Sequence, residues 1–502
     1  MYSGTWLSTL LTSWRSRKRS GPEVEARRLI DAGEAARAAA TLEDQPQLNI
    51  RGWRYLLKSY VTLHRFEDVI TAYEQAPDPV SKDFACSLHY LTAGANLCRA
   101  DIIQRVTRPL LDRRSVPDIR RLAPVYSLLS AAPEVHASVR NASVDMAELL
   151  AFSEYPSLIR CAHDLISLRD WESFAKVERC LANAASDDQS AIPLAFLRGQ
   201  AAFAQGDYLG QAAAVNHVLS RERLSPIRLK DEGKPFTCSN IEGKVSNDAI
   251  GNGPLVTVLM AAFNAEDTIG YALESLRLQT YKNIEVLIAN DASSDNTCAI
   301  ARTFAARDDR FRIVELANNV GPFVAKNTAL LTARGEYVIN QDADDWAHPE
   351  KIAKEVQALA STPDLIAVCC HHIRCSQADG FRPKRRYIAA DASSLLYRRE
   401  PVLERMGYYD SVRVAGDGEF QNRMEKVFGR SAIKLIAPLL SIVSWSPTSL
   451  SGGGQFLIDP DSGIFSCARR AYKIAGSKWH NSGEHLFMPF PLNERKFPFA
   501  IE

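Results

Sequence analysis

The chain has no run of about 18 or more apolar residues, so nothing in it reads as a membrane-spanning helix. Net charge is nearly absent too: 60 Lys and Arg against 59 Asp and Glu leave a formal +1. That balance gives no electrostatic footprint for nucleic acid, and no such partner is expected. The ten cysteines follow no regular spacing and two are adjacent, so no disulfide framework is legible. With no secretory signal in view they are expected as reduced thiols in a cytoplasm. The remainder, 46% hydrophobic and 24% charged residues, is the make-up of a globular protein. A chain of 502 residues has room for roughly two to four domains.

The most telling stretch is Asn340-Gln-Asp-Ala-Asp-Asp-Trp-Ala-His-Pro349, which sets Asp342, Asp344 and Asp345 directly after the apolar run Gly335-Glu-Tyr-Val-Ile339. The run reads as a short buried strand. Carboxylates at the end of such a strand lie where open α/β sheets bind ligands. Packed this closely they repel one another unless a cation compensates them, and hard oxygen ligands suit Mg²⁺ or Mn²⁺. Upstream, Leu255 to Asn264, Ile284 to Ala289 and Phe311 to Leu316 read as strands, with amphipathic helical segments between them. That alternation predicts βαβ units in a doubly wound sheet.

Six motifs follow one another on these elements: Val256-Thr-Val-Leu-Met-Ala-Ala-Phe-Asn264, Ser275-Leu-Arg-Leu-Gln-Thr-Tyr281, Asn290-Asp-Ala-Ser-Ser-Asp-Asn-Thr297, Asn319-Val-Gly321, Ala325-Lys-Asn327 and the Asp342 cluster. Together they resemble the nucleotide-binding half of glycosyltransferase family 2, over about two-fifths of the chain. The resemblance implies a GT-A fold with a mixed, doubly wound sheet. It implies donor contacts at Ala262, Phe263 and Asn264, with the Phe263 ring on the donor's base where the family usually has tyrosine. Asp291 matches the acid that meets uracil, which favours a UDP-sugar, while Asn290 replaces the acid before it. Lys326 stands where the family has arginine; it is expected to meet a phosphate as a point charge or to lie solvated on a helix. Asp342 and Asp344 are implied for the donor, and Asp344 and Asp345 for the Mn²⁺ or Mg²⁺ ion.

The same resemblance implies a base for the acceptor hydroxyl. Asp417 in Arg413-Val-Ala-Gly-Asp-Gly-Glu-Phe420 matches that acid, ahead of a helix expected to begin at Glu419, which is itself the alternative base. A carboxylate at a helix N-terminus is favoured as the anion, which suits proton abstraction; capping alone is the plainer reading. Inversion at the anomeric carbon and a glycan acceptor at the cell surface follow from the family only. Val443-Ser-Trp-Ser-Pro-Thr-Ser-Leu-Ser451 lacks the histidine that completes the metal site in many members; His480 and His485 lie further on, but a lone histidine is more often structural and neither is counted among the expected ligands. Trp445 reads as a core residue, with sugar stacking the alternative.

Further motifs lie outside the resemblance. Cys369-Cys-His-His-Ile-Arg-Cys375 lacks a second ligand pair at zinc-finger spacing and continues an apolar strand. Trp6, Leu7, Leu10, Leu11 and Trp14 share a helical face before Arg15-Ser-Arg-Lys-Arg19, a pattern suited to an anionic membrane surface. Residues 22–229 read as helix after helix, with degenerate tetratricopeptide-like hairpins at Trp53 to Ala76 and Leu197 to Ala214 and a third at Asp170 to Ala182. The expected division is a basic segment 1–21, a helical domain 22–229 open to a protein partner, a linker 230–253, a transferase domain 254–455 and an extension 456–502 packing on it. The expected protein is a bacterial-type, metal-dependent transferase of cell-surface polysaccharide synthesis, cytoplasmic or peripheral on the inner membrane face. The competing expectations are an inactive scaffold acting through its helices and a nucleotidyltransferase releasing pyrophosphate.

Overall fold

The computed structural model describes residues 22–96, 171–184, 188–243, 251–382, 387–446 and 466–497, single positions excepted, with scattered residues between 102 and 169 and between 449 and 458. The amphipathic segment 1–21 lies outside the described residues. The chain divides into two compact units, Met1–Leu129 and Ser130–Glu502.

In the first unit the described elements are the helices α1 (Pro22–Asp31), α2 (Ala35–Glu43), α3 (Ile50–Thr62), α4 (Phe66–Glu74), α5 (Asp78–Ser81) and α6 (Phe84–Asn96). Small residues at the contacts, among them Ala26, Ala38 and Ala39, are fully buried and let the helices approach closely. Asn49 caps α3 by accepting the Gly52 amide at 2.9 Å. The hairpin read at Trp53 to Ala76 is present as α3 and α4.

The second unit opens with α7 (Trp171–Ala184), α8 (Asp188–Ala204) and α9 (Tyr208–Arg221). The hairpin read at Leu197 to Ala214 corresponds to α8 and α9, joined at Gly206, whose φ of +79° only glycine adopts freely. Asp170 to Ala182 is not a hairpin; from Trp171 it forms one helix, because no breaker interrupts the stretch. The hairpin of β1 (Ile227–Leu229) and β2 (Ile241–Gly243) follows. Phe236, Cys238 and Ile241, within the segment read as a linker, are buried in one apolar cluster with α8, α9 and the back of the main sheet.

That sheet has ten strands. β3 (Val256–Ala262), β4 (Ile284–Asn290), β5 (Phe311–Glu315) and β6 (Tyr337–Asn340) are parallel, in the order β5-β4-β3-β6. Buried on both faces, β3 and β4 read as continuous apolar runs rather than alternating ones. Their crossovers are α10 (Ile269–Arg277), α11 (Thr297–Ala305) and α12 (Pro322–Leu330). Beyond β6 come β7 (Trp346–Ala347), α13 (Lys351–Ala360), β8 (Ala367–Ser376), β9 (Gly380–Phe381), β10 (Ala389–Ala390), β11 (Leu396–Arg398) and β12 (Ile433–Ser444). β11 pairs antiparallel with both β6 and β8, which makes the sheet mixed. Consecutive residues of a strand face opposite sides, so Cys369 and Cys370 on β8 enter different apolar clusters and cannot share a ligand.

The lower face carries α14 (Arg399–Arg405), α15 (Gly416–Phe428) and α16 (Cys467–His480). One helix differs from expectation. α15 starts at Gly416 rather than Glu419, because Ala415 takes the left-handed conformation (φ +64°) and turns the chain into the helix early. α16 is capped by Ser466. The two helices are joined by a buried charge cluster. Glu419 Oε1 accepts from Arg423 Nε at 2.8 Å and lies 3.0 Å from His480 Nε2, while Arg423 also donates to the Tyr408 carbonyl at 2.7 Å. Burial opposes ionisation of Glu419, yet Arg423 and His480 hold it below the ordinary carboxylate range. Replacing Arg423 by alanine strands that anion in the core. The expected cost is about 3–5 kcal/mol, read as a lowered denaturation midpoint.

Candidate active site

The loops at the carboxyl edge of β3 and β4 are tied to each other before they meet any ligand. Asn264, at φ +46°, accepts the Ser294 amide at 2.9 Å and donates its own to Ser293 Oγ at 3.1 Å. The Ala265 and Glu266 amides bond to Thr297 Oγ1 and Asp295 Oδ2 at 2.7 and 3.0 Å. Much of the Asn290–Thr297 motif therefore serves to satisfy the backbone after β3. Ala262 is buried and its carbonyl accepts the Asp291 amide at 2.8 Å. Phe263, directly after β3, is left 49% exposed.

Asp291 is 2% exposed, and its two oxygens accept the Val320 and Gly321 amides, both at 2.8 Å. Gly321, at φ +90°, is the residue that lets both amides point the same way. Arg413 holds the other side of this turn through Asn319 Oδ1 at 2.6 Å. The turn starts α12, which carries Lys326. Lys326 is not solvated: it is 4% exposed and pairs with Asp342 Oδ1 at 2.7 Å. Burial opposes its charge, but Asp342 and, more weakly, Tyr409 and Asp417 outweigh that and raise its pKa. Lys326 thus links the acid cluster electrostatically to Asp417, which sits in the first turn of α15 with its Oδ1 accepting the Gly418 amide at 2.8 Å.

Asp344 and Asp345 carry the strain of the cluster. Burial and the charge of Asp342 push Asp344 up to about 6. Burial, Asp344, Asp342 and Asp391 push Asp345 well above the ordinary carboxylate range. Asp345 Oδ1 accepts the Ser444 amide at 2.9 Å, and the Tyr271 hydroxyl donates to the Asp344 carbonyl at 2.9 Å. Among the described residues no three His, Cys, Asp or Glu side chains converge on one point as a closed metal cage. The donor set still suits Mg²⁺ or Mn²⁺, which bind through one or two carboxylates and complete their shell with water and substrate phosphate. A buried and a half-buried acid, both held against their own ionisation, are what such a cation would relieve.

The two histidines kept off the expected metal set have other contacts. His480 is committed to Glu419 in the core, and His485 stacks on Phe487 with ring centroids 5.9 Å apart. Tyr271 and Ser444 escaped sequence reading as partners of the acids, since each reaches them from a distant element. Asp345→Asn keeps an oxygen for the Ser444 amide and removes the charge. A raised carboxyl contributes fully to stability below its unfolded value of about 3.9, and that contribution is lost as pH rises through the raised folded value. With chelator present the variant is therefore expected to be more stable than the parent at pH 7.5. The gain should disappear near pH 4, and thermal unfolding at both pH values checks it.

The model of glycosyl transferase family 2 matches residues 257–420. EpsH of Bacillus subtilis is 37% identical over 113 residues, 22% of this chain and 33% of that protein. The succinoglycan biosynthesis protein ExoO of Rhizobium meliloti is 35% identical over 120 residues, 24% of this chain and 34% of that protein. The chain thus spans about a third of the length of these curated relatives. Among solved structures, S. aureus TarS 1–349 in complex with UDP-GlcNAc shares 18% identity at a TM-score of 0.35, covering 46% of this chain and 68% of that one. With the motifs carried in order on a mixed GT-A sheet and the family model lying across them, the chain carries a domain of glycosyltransferase family 2.

Proposed function

We propose that this protein is a divalent-ion-assisted, inverting glycosyltransferase that moves a sugar from a nucleoside-diphosphate donor, UDP in the favoured case, to a hydroxyl of a glycan. The observation that carries this reading is the gathering of Phe263, Lys326, the Asp342–Asp345 acids and Asp417 at one edge of one sheet. In this reading the exposed Phe263 ring stacks on the base, inside a pocket that Asp291 shapes by fixing the Asn319–Gly321 turn. Asp342 and Asp344 face the ribose and diphosphate, with Lys326 holding Asp342 in place. Asp344 and Asp345 would hold Mn²⁺ or Mg²⁺, whose Lewis acidity stabilises a departing diphosphate. Asp417 accepts the proton of the acceptor hydroxyl as its oxygen bonds to the anomeric carbon and the bond to the diphosphate breaks. A single displacement of this kind inverts the centre. The name of the relative ExoO supports a role in polysaccharide synthesis. The helices of the first unit suit a partner or acceptor platform.

Two measurements test the reading. UDP with Mn²⁺ is expected to raise the thermal midpoint of the purified chain more than UDP with chelator, and Phe263→Ala to weaken UDP binding by about 1–3 kcal/mol, the worth of one aromatic–base stack. Loss of stabilisation with every nucleotide would move the reading to a scaffold. Asp417→Asn is expected to lower turnover by about 10²–10⁴-fold, the usual contribution of a general base, while UDP binding persists. Unchanged turnover would remove Asp417 from the role of base.

A further inference from the structure

A cavity of about 310 Å³ lies against the acid cluster. Two of its walls are residues already bonded to the acids: Tyr271, through the Asp344 carbonyl, and Ser444, whose amide meets Asp345. The rest of the lining includes Thr237, Gln377, Asp379 and Trp445. We infer that this cavity is a subsite for a neutral saccharide unit, and that it holds part of the acceptor glycan. The acceptor role rests on the transferase reading above; saccharide binding by itself does not.

The chemistry of the walls points to a sugar. Hydroxyls, an amide and a carboxylate supply the mixed donors and acceptors that sugar hydroxyls need, and an indole supplies the flat apolar face that a sugar's C–H groups need. A cationic ligand is not what the walls favour, because the acid among them, Asp379, is already paired with Arg382 Nε at 3.6 Å. The volume falls at the low end of the roughly 300–1,000 Å³ usual for small-molecule sites, which excludes a protein segment.

The walls are also fixed in advance, which lowers the ordering cost of binding. Arg382 stacks on Trp445 at 3.8 Å from the ring centroid, and the Trp445 amide bonds to the Cys375 carbonyl at 3.0 Å. Asp379 Oδ2 accepts from Ser376 Oγ at 2.9 Å. Gln200 of α8 clamps the same turn, donating to the Asp379 carbonyl and accepting the Phe381 amide, each at 2.7 Å. Thr237 and Gln200 both precede the family-matched residues 257–420, so this chain's own upstream elements build the subsite.

The test uses the full chain and saturation-transfer NMR with cellobiose, N,N′-diacetylchitobiose and methyl β-glucoside at concentrations on the order of 10 mM. At least one probe is expected to bind, and Trp445→Ala and Gln377→Ala are each expected to weaken it at least about tenfold. Gln377 is exposed on its turn, so that variant stays informative if the tryptophan variant fails to fold. Stabilisation by UDP and Mn²⁺ should be unchanged in Gln377→Ala. Absence of binding by every probe, or equal binding by the parent and Gln377→Ala, overturns the subsite. Absence of UDP stabilisation in the parent would instead remove the donor reading and the acceptor role, with saccharide binding still decided by NMR.

Discussion

Asp342, Asp344 and Asp345 bring three carboxylates to the end of one short strand, and their mutual repulsion must be answered before the sheet can close around them. The chain answers each acid differently. Asp342 receives a buried ammonium, Asp345 a backbone amide from the last residue of β12, and Asp344 a shift toward the protonated form. Much of the surrounding architecture serves those answers. Lys326 reaches Asp342 because α12 starts at the Asn319–Gly321 turn. That turn exists because Asp291 and Arg413 hold it from opposite sides. β12 brings Ser444 to Asp345 because it runs parallel along β8 for its full length.

How much of this could be read from sequence depended on whether the interaction was local. The βαβ order was legible because strands buried on both faces leave unbroken apolar runs, and because the loops after β3 and β4 are rich in Asn, Asp, Ser and Thr. Lys326 was left between a phosphate contact and a solvated helix position, since its partner lies sixteen residues on and helix periodicity carries no information about it. His480 was read as a structural histidine, but its partner Glu419 lies 61 residues away and could not be named from the sequence. The start of α15 was placed late because the glycines at 416 and 418 resemble loop residues, and no local signal announces the left-handed turn at Ala415.

The helices ahead of the sheet prove to be more than a neighbouring segment. Gln200 and Gln211 each use a side-chain amide to satisfy backbone groups that would otherwise be buried without partners, at the β8–β9 turn and at Phe236. Such bonds contribute modestly when present and cost more when one partner is lost. They make the packing between α8, α9 and the sheet specific in register, beyond what the apolar cluster alone would impose. The stretch from Pro226 to Gly243 shares that packing and behaves as part of the fold.

The charge cluster between α15 and α16 has a consequence for how such a protein can be divided. The helix bearing Asp417 is held from below by His480 and, through Asp410, by Tyr472 and Arg495, all beyond residue 420 where the family match ends. The stretch shared with relatives is therefore smaller than the stretch that can fold. Ancestry is written in one segment of the chain, while mechanical support for its catalytic edge is drawn from another. The extension is thus free to diverge in sequence only as far as it continues to supply a cation or hydrogen-bond donor at each of those contacts.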